Sequence, residues 1–326
     1  MVVRVQVCLC IVMLSLMTGS CYVTKQAIYQ NDLMNRRELI DHLLKDESLD
    51  PDLKQSFLSL GRILQFAKTN GLNSDEAYEY YIDTPQPVVS YLVVASEPLV
   101  LKRKYWWFPL IGDVPYLGFF QKSDRDREAN ILREQGLDVH ETAASAFSSL
   151  GWFADPLYKS MVYKRSENDF AHLIFHELTH RTVWIPNDSS FNEGLAEFVA
   201  DLLLDKYLEN HRINRGKLDA ERRDDAYFAN WVENLKGELA KLYESSLDPK
   251  EKLAKKAEIF GDFLEGKWPS FETNSYENLR KRSWNNAMLL GISLYTNEKN
   301  EAARLYTQYQ KPSVSEFLSR IERERK

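Results

Sequence analysis

Two histidines flank a glutamate in the run His176-Glu177-Leu178-Thr179-His180. On a helix, residues four apart lie on one face, one turn from each other. Both imidazoles can then grip a single zinc ion, and Glu177 stands beside them to take a proton from the attacking water. Three fixed positions also arise by chance, so the residues downstream decide. Beyond twelve intervening residues comes Glu193, inside Asn192-Glu193-Gly194-Leu195-Ala196-Glu197-Phe198. A carboxylate at the start of a second helix can meet the two histidines and leave one metal position open. Glu193 has a competing use, because Ser190-x-x-Glu193 matches a capping box. We read Glu193 as the third ligand, since the pattern follows HExxH directly. Glu197, one turn on, is placed to accept the remaining ring N–H of a metal-bound histidine, with a solvated helix charge as the alternative. His172 lies one turn before His176, but three ligands strung along one straight helix cannot easily wrap a tetrahedral ion. It reads as a packing or surface residue. His42, His140 and His211 have no ligand spacing.

These side chains need two helices to carry them. Phe170, Ile174 and Leu178 recur every four residues and predict a buried row on the first helix, which ends at Trp184-Ile185-Pro186. Leu195, Val199, Leu202 and Leu203 give the second helix its apolar stripe from about Ser190, with Glu193, Glu197 and Asp201 on another face. Upstream, residues 25–71 read as helices closed by Asn70-Gly71. Residues 88–101 are strand-like, and 105–120 read as a hairpin turning at Gly112-Asp113. A short helix from Asp124 to Gln135 stops at Gly136. Another strand near Leu137–Ala143 follows, then a loop over Ser145–Pro156. The rest reads as nearly all helical. Strands first and helices after argue for α+β rather than a doubly wound sheet.

HELTH followed by NExxxE resembles thermolysin-like gluzincins, and NEGLAEF resembles the NEGFA motif of the large zinc aminopeptidases. WFPLIGDVPYLGFF, SSLGWFADPL, LIFHELTH and FNEGLAEFV, with WNNAMLL near Trp284, are similar to a family of bacterial lipoproteins called predicted aminopeptidases. The sequence departs from many relatives at Gly194-Leu195-Ala196-Glu197, where they carry Ser-Phe-Ala-Thr. The resemblance implies a zincin-like (gluzincin) core over 88–211, with a helical segment at 21–87 before it and a helical region at 212–326 packed on it. It implies one zinc ion per chain and a peptide substrate. It also implies a downstream donor for the developing oxyanion, for which Tyr295 is the first choice and Tyr116 the second. A peptide can lie along a sheet edge, which directs attention to Ala144–Leu150 with Ser145, and to the Gly151-Trp152-Phe153 loop beside it. An aminopeptidase must also seat the substrate's ammonium, and Glu97, Glu141 and Asp155 are the carboxylates considered. Without such a clamp an endopeptidase fits the motif equally. A zinc-binding lipoprotein without turnover, or a hydrolase of other substrates, stays open as well.

The chain of 326 residues is 44% hydrophobic and 28% charged, enough apolar material for a sizeable core. Its net charge of −6 is spread without a basic stripe, which argues against nucleic acid. Arg4 is the single charge in the first twenty residues, a mainly apolar run spans Val5 to Met17, and Thr18-Gly19-Ser20-Cys21 follows. That order predicts a lipoprotein signal over 1–20 with Cys21 lipidated, with a plain secretory signal or an N-terminal anchor helix as the alternative. The other two cysteines, Cys8 and Cys10, fall inside the segment to be removed, so the mature chain can form no internal disulfide. Tyr22 after the cysteine favours the outer membrane, facing the periplasm. The sequence does not indicate an oligomeric state.

Overall fold

The computed structural model describes residues 22–84, 88–108, 112–144, 146, 155–211, 215–293 and 297–325. The molecule is mixed α+β with small sheets, and 61% of the described residues are helical. Helix α1 (22–34) opens the described chain. A first sheet joins β1 (Glu38–Leu39), β2 (Tyr80–Ile82) and β8 (Leu157–Tyr158), in that order. The segment before residue 87 is therefore not all helix. Its strands are only two or three residues long, too short to display an alternation in sequence. Between them lie α2 (Ile40–Leu43) and α3 (Pro51–Thr69). Asp50 caps α3 by accepting from the N–H groups of Asp52 and Leu53, and Pro51 presets its first turn. Asn70 closes it, as expected, followed by Gly71 at φ 93°.

The second sheet runs β6 (Leu117–Phe119), β3 (Ser90–Ser96), β7 (Asp138–Ala144), all antiparallel. Val93 and Ala95 face α4 (Lys122–Glu134) in one cluster with Leu117, Phe119, Ala129 and Leu132. Val94 faces the other way, toward Gly291 of α11 (Asn286–Ser293). The alternation of β3 is thus used on both sides, which explains its nearly unbroken apolar sequence. A separate hairpin pairs β4 (Trp106–Phe108) with β5 (Gly112–Val114). The hairpin exists, but Gly112 lies within its second strand, paired with Phe108, and does not form a turn with Asp113. Gly112 serves a close approach instead: a Cβ there would sit 2.1 Å from Asn187 Oδ1, and its φ is 85°.

α5 (Lys159–Val162) leads into α6 (Glu167–Thr182), capped by Ser166, and α7 (Ser189–His211) packs against α6. Phe170, Ile174 and Leu178 are buried as a row, and Leu195, Val199 and Leu203 meet them in the largest core cluster. That cluster also takes in Phe57, Leu60 and Ile63 of α3 and Phe317, Leu318 and Ile321 of α13 (Val314–Arg325). α12 (Asn297–Gln308) lies along α7. The remaining helices, α8 (Gly216–Glu244), α9 (Pro249–Glu265) and α10 (Glu277–Arg280), enclose an aromatic core of Phe228, Trp231, Phe263 and Trp284. Among the described residues no helix is long and apolar enough to cross a membrane.

Candidate metal centre

α6 and α7 meet at an angle set by their connection. Asn192 grips both polar groups of Ile185: its Oδ1 accepts from the Ile185 N–H at 2.9 Å and its Nδ2 donates to the Ile185 carbonyl at 2.7 Å. This fastens the exit of α6 to the first turn of α7 and turns the next residue, Glu193, toward the histidines. The start of α7 is capped by Asp188, whose Oδ1 accepts from the Phe191 N–H at 3.2 Å. Ser190 does not cap; its hydroxyl takes a hydrogen bond from Arg103 at 3.3 Å. Glu193 is thereby free of the capping role that its sequence spacing allowed.

Its carboxylate turns to the histidines instead. Glu193 Oε2 lies 3.4 Å from His176 Nε2 and 3.7 Å from His180 Nε2, and the two Nε2 atoms are 3.1 Å apart. These three separations bracket the roughly 3.4 Å edge of a tetrahedron with bonds of about 2.1 Å. Two imidazole nitrogens and one carboxylate oxygen, all within 4.8 Å of one another, are a donor set that suits zinc and leaves a fourth position for water or substrate. The charges agree. Burial works against the ionised form of Glu193, yet the adjoining histidines hold its pKa well below the usual carboxylate range. Burial would depress His176, but hydrogen bonds to Glu193 and Glu197 and the charges of Glu193 and Glu177 carry it well above its usual value.

Glu197 Oε2 sits 3.3 Å from His176 Nδ1, the ring nitrogen turned away from the other ligand atoms. That contact fixes the ring's orientation and its tautomer. His172 is no part of the triad; its Nε2 lies 3.3 Å from Asp201 Oδ1 and 3.7 Å from Glu197 Oε1. Glu177 follows His176 on α6 and feels the charges of both histidines and of Glu193. Burial raises its pKa, the two histidines oppose that rise, and the charges of Glu193 and Asp155 add to it. Tyr116 lies in the turn between β5 and β6, and its hydroxyl pKa is raised by burial and then by the charges of Glu193 and Glu177.

Of the three carboxylates considered for a substrate ammonium, Asp155 is buried near Glu177, where it is ion-paired with Arg181 at 3.4 Å. Glu141 is engaged by Arg133 at 2.5 Å and Arg125 at 3.5 Å, and Glu97 is exposed at the end of β3. Ser145, Trp152, Tyr295 and Cys21 lie outside the described residues. Three participants were not read from sequence. Asn192 stands in the Asn-Glu motif, but its grip on Ile185 is a tertiary contact that the motif does not show. Arg181, which also donates to the Asp75 carbonyl at 2.7 Å, ties Asp155 and the chain before Tyr78 to α6. Trp184 packs edge-on against His180 with centroids 5.7 Å apart, and its spacing of four from that histidine was the available signal.

The fold and site together define a mixed α+β protein in which two packed helices bring together a His-His-Glu group that could hold a metal ion. The family described as "Putative aminopeptidase" matches residues 21–325, and the chain belongs to that family. No curated protein and no solved structure matches the chain.

Proposed function

We propose that this protein is a zinc-dependent aminopeptidase, exported and held at a membrane surface by a lipid on Cys21, at the periplasmic face of the outer membrane. The observation that carries the peptidase reading is the convergence of His176, His180 and Glu193 with Glu177 beside them. Membership of an aminopeptidase family supports it. In this reading α6, α7 and the β6–β3–β7 sheet form a zincin-like, gluzincin-type core over residues 88–211. The segments 21–87 and 212–326 flank it.

His176, His180 and Glu193 would hold the ion, with Glu197 orienting His176. When bound, zinc polarises the scissile carbonyl and lowers the pKa of water at the open position. Glu177 accepts the proton of the attacking water and delivers it to the departing amine, so its raised affinity for protons suits both halves of the task. Tyr116 keeps its hydroxyl proton and donates to the carbonyl oxygen as negative charge develops there. Arg181, paired with Asp155 and donating to the Asp75 carbonyl, ties the chain around Asp75 and Asp155 to the helix that carries Glu177.

A matched pair of peptides tests the assignment, one with a free amino terminus and one N-acetylated. Zinc-loaded protein is expected to release the first residue of the free peptide and to spare the acetylated one, and a chelator should stop the reaction. Equal cleavage of both would make the enzyme an endopeptidase. Binding of zinc with no cleavage of either across a broad peptide set would make it a zinc-binding lipoprotein without turnover.

A further inference from the structure

Trp184 leaves α6 on the side of a candidate ligand. Val183 closes the helix in extended backbone, at φ −140° and ψ 130°. Successive side chains of an extended chain point to opposite sides. Val183 and Ile185 are both buried in the largest core cluster. Trp184, between them, turns away from that core, and its ring meets His180 edge-on, with centroids 5.7 Å apart and planes at 69°. The chain on either side is held. The Val183 N–H donates to the Thr179 carbonyl at 2.9 Å, and Asn192 engages both backbone polar groups of Ile185. The indole is thus a fixed flank of His180.

Its polar atom is not used by the fold. Trp184 Nε1 is buried, and among the described residues no acceptor lies within hydrogen-bond reach of it. An indole nitrogen can only donate. A buried indole N–H as a rule finds a partner, and one left unmade is costly. Phenylalanine would give His180 a similar ring contact without that cost. The donor therefore suits an acceptor that arrives from outside. A peptide brings one carbonyl oxygen with every residue, and the ring's contact with His180 puts the donor close to where the candidate metal site would take its substrate.

Resting on the peptidase reading above, we infer that Trp184 is a substrate-binding residue, its indole N–H donating to a backbone carbonyl oxygen of the bound peptide. The test uses zinc-loaded Glu177→Gln protein, which should hold a free-amine peptide without turning it over, with its tryptophans isotope-labelled at the indole nitrogen. The Trp184 resonance is identified by its absence from a Trp184→Phe sample. Titration with the peptide should move that resonance downfield to saturation. With Glu177 intact, Trp184→Phe should raise KM for the same peptide about tenfold, the worth of one hydrogen bond, with kcat changed far less. Its zinc content should match wild type. A resonance that stays in place while calorimetry shows the peptide bound, or a KM equal to that of wild type, would mean that water satisfies the N–H; the inference would fall and the peptidase reading would stand. A peptide that neither binds Glu177→Gln protein nor is cleaved by wild type would sink the peptidase reading and this inference with it.

Discussion

Glu193 is brought to the histidines by a neighbour that touches neither of them. Replacing Asn192 with Ala strips partners from two backbone groups of buried Ile185. The expected cost is about 2 to 4 kcal/mol of stability, from two unsatisfied buried groups. Zinc should also be held more weakly than in wild type, as read by competition with a chromophoric chelator. His176→Ala or His180→Ala should abolish zinc binding and Glu193→Ala should weaken it severely. His172→Ala should leave it nearly intact, because His172 faces Asp201 rather than the ligand atoms. Full zinc occupancy in Glu193→Ala would remove that residue from the ligand set. Tyr116→Phe deletes one buried hydroxyl whose ionisation the charges of Glu193 and Glu177 oppose. If that hydroxyl donates to the oxyanion, kcat should fall by about 10² to 10³ with KM little changed, as for other single oxyanion donors. At this scale the sequence shows the ligand positions, because helical spacing alone places His176 and His180 together. It cannot show Asp155 with Arg181, which are 26 residues apart and joined only by tertiary folding.

Among the elements, the helices were readable and the turns less so. The apolar row Phe170-Ile174-Leu178 is a one-dimensional signal and is buried as such. Gly112 was read as a turn glycine, but it answers to Asn187, 75 positions on, a contact that no local pattern carries. The cap of α7 moved from Ser190 to Asp188 for a similar reason, since Arg103 takes the serine hydroxyl. The sheet–α11 interface makes a prediction about acid. His140 pairs with Val94 on the face that packs against α11. Burial, with Arg282 nearby, lowers its pKa to about 4. A histidine whose pKa is depressed in the folded state binds its proton more readily when unfolded. Stability should therefore be undiminished by this residue above about pH 6.5, and fall as pH drops toward 4. The loss should reach about 2 to 3 kcal/mol. His140→Gln should flatten that part of the stability–pH curve, and an unaltered slope would assign it to other groups.

Across the whole molecule, α+β was legible from the order of strands and helices, whereas the sheet order was not. β8 completes a sheet with β1 and β2 from more than seventy positions earlier, through strands of two or three residues. One core cluster links α3 to the metal-site helices and to α13 near the chain's end. The two helices that bear the candidate site are thus braced by α3 and α13, and truncating α13 should loosen zinc as well as lower stability. The catalytic claim itself turns on a single carboxylate. Glu177→Gln preserves size and leaves His176, His180 and Glu193 untouched, so the variant should carry zinc as wild type does. The decisive measurement is kcat for a free-amine peptide with this variant at full zinc occupancy. The account predicts a fall of about 10² to 10⁴, the span of general acid–base catalysis; undiminished turnover would contradict it.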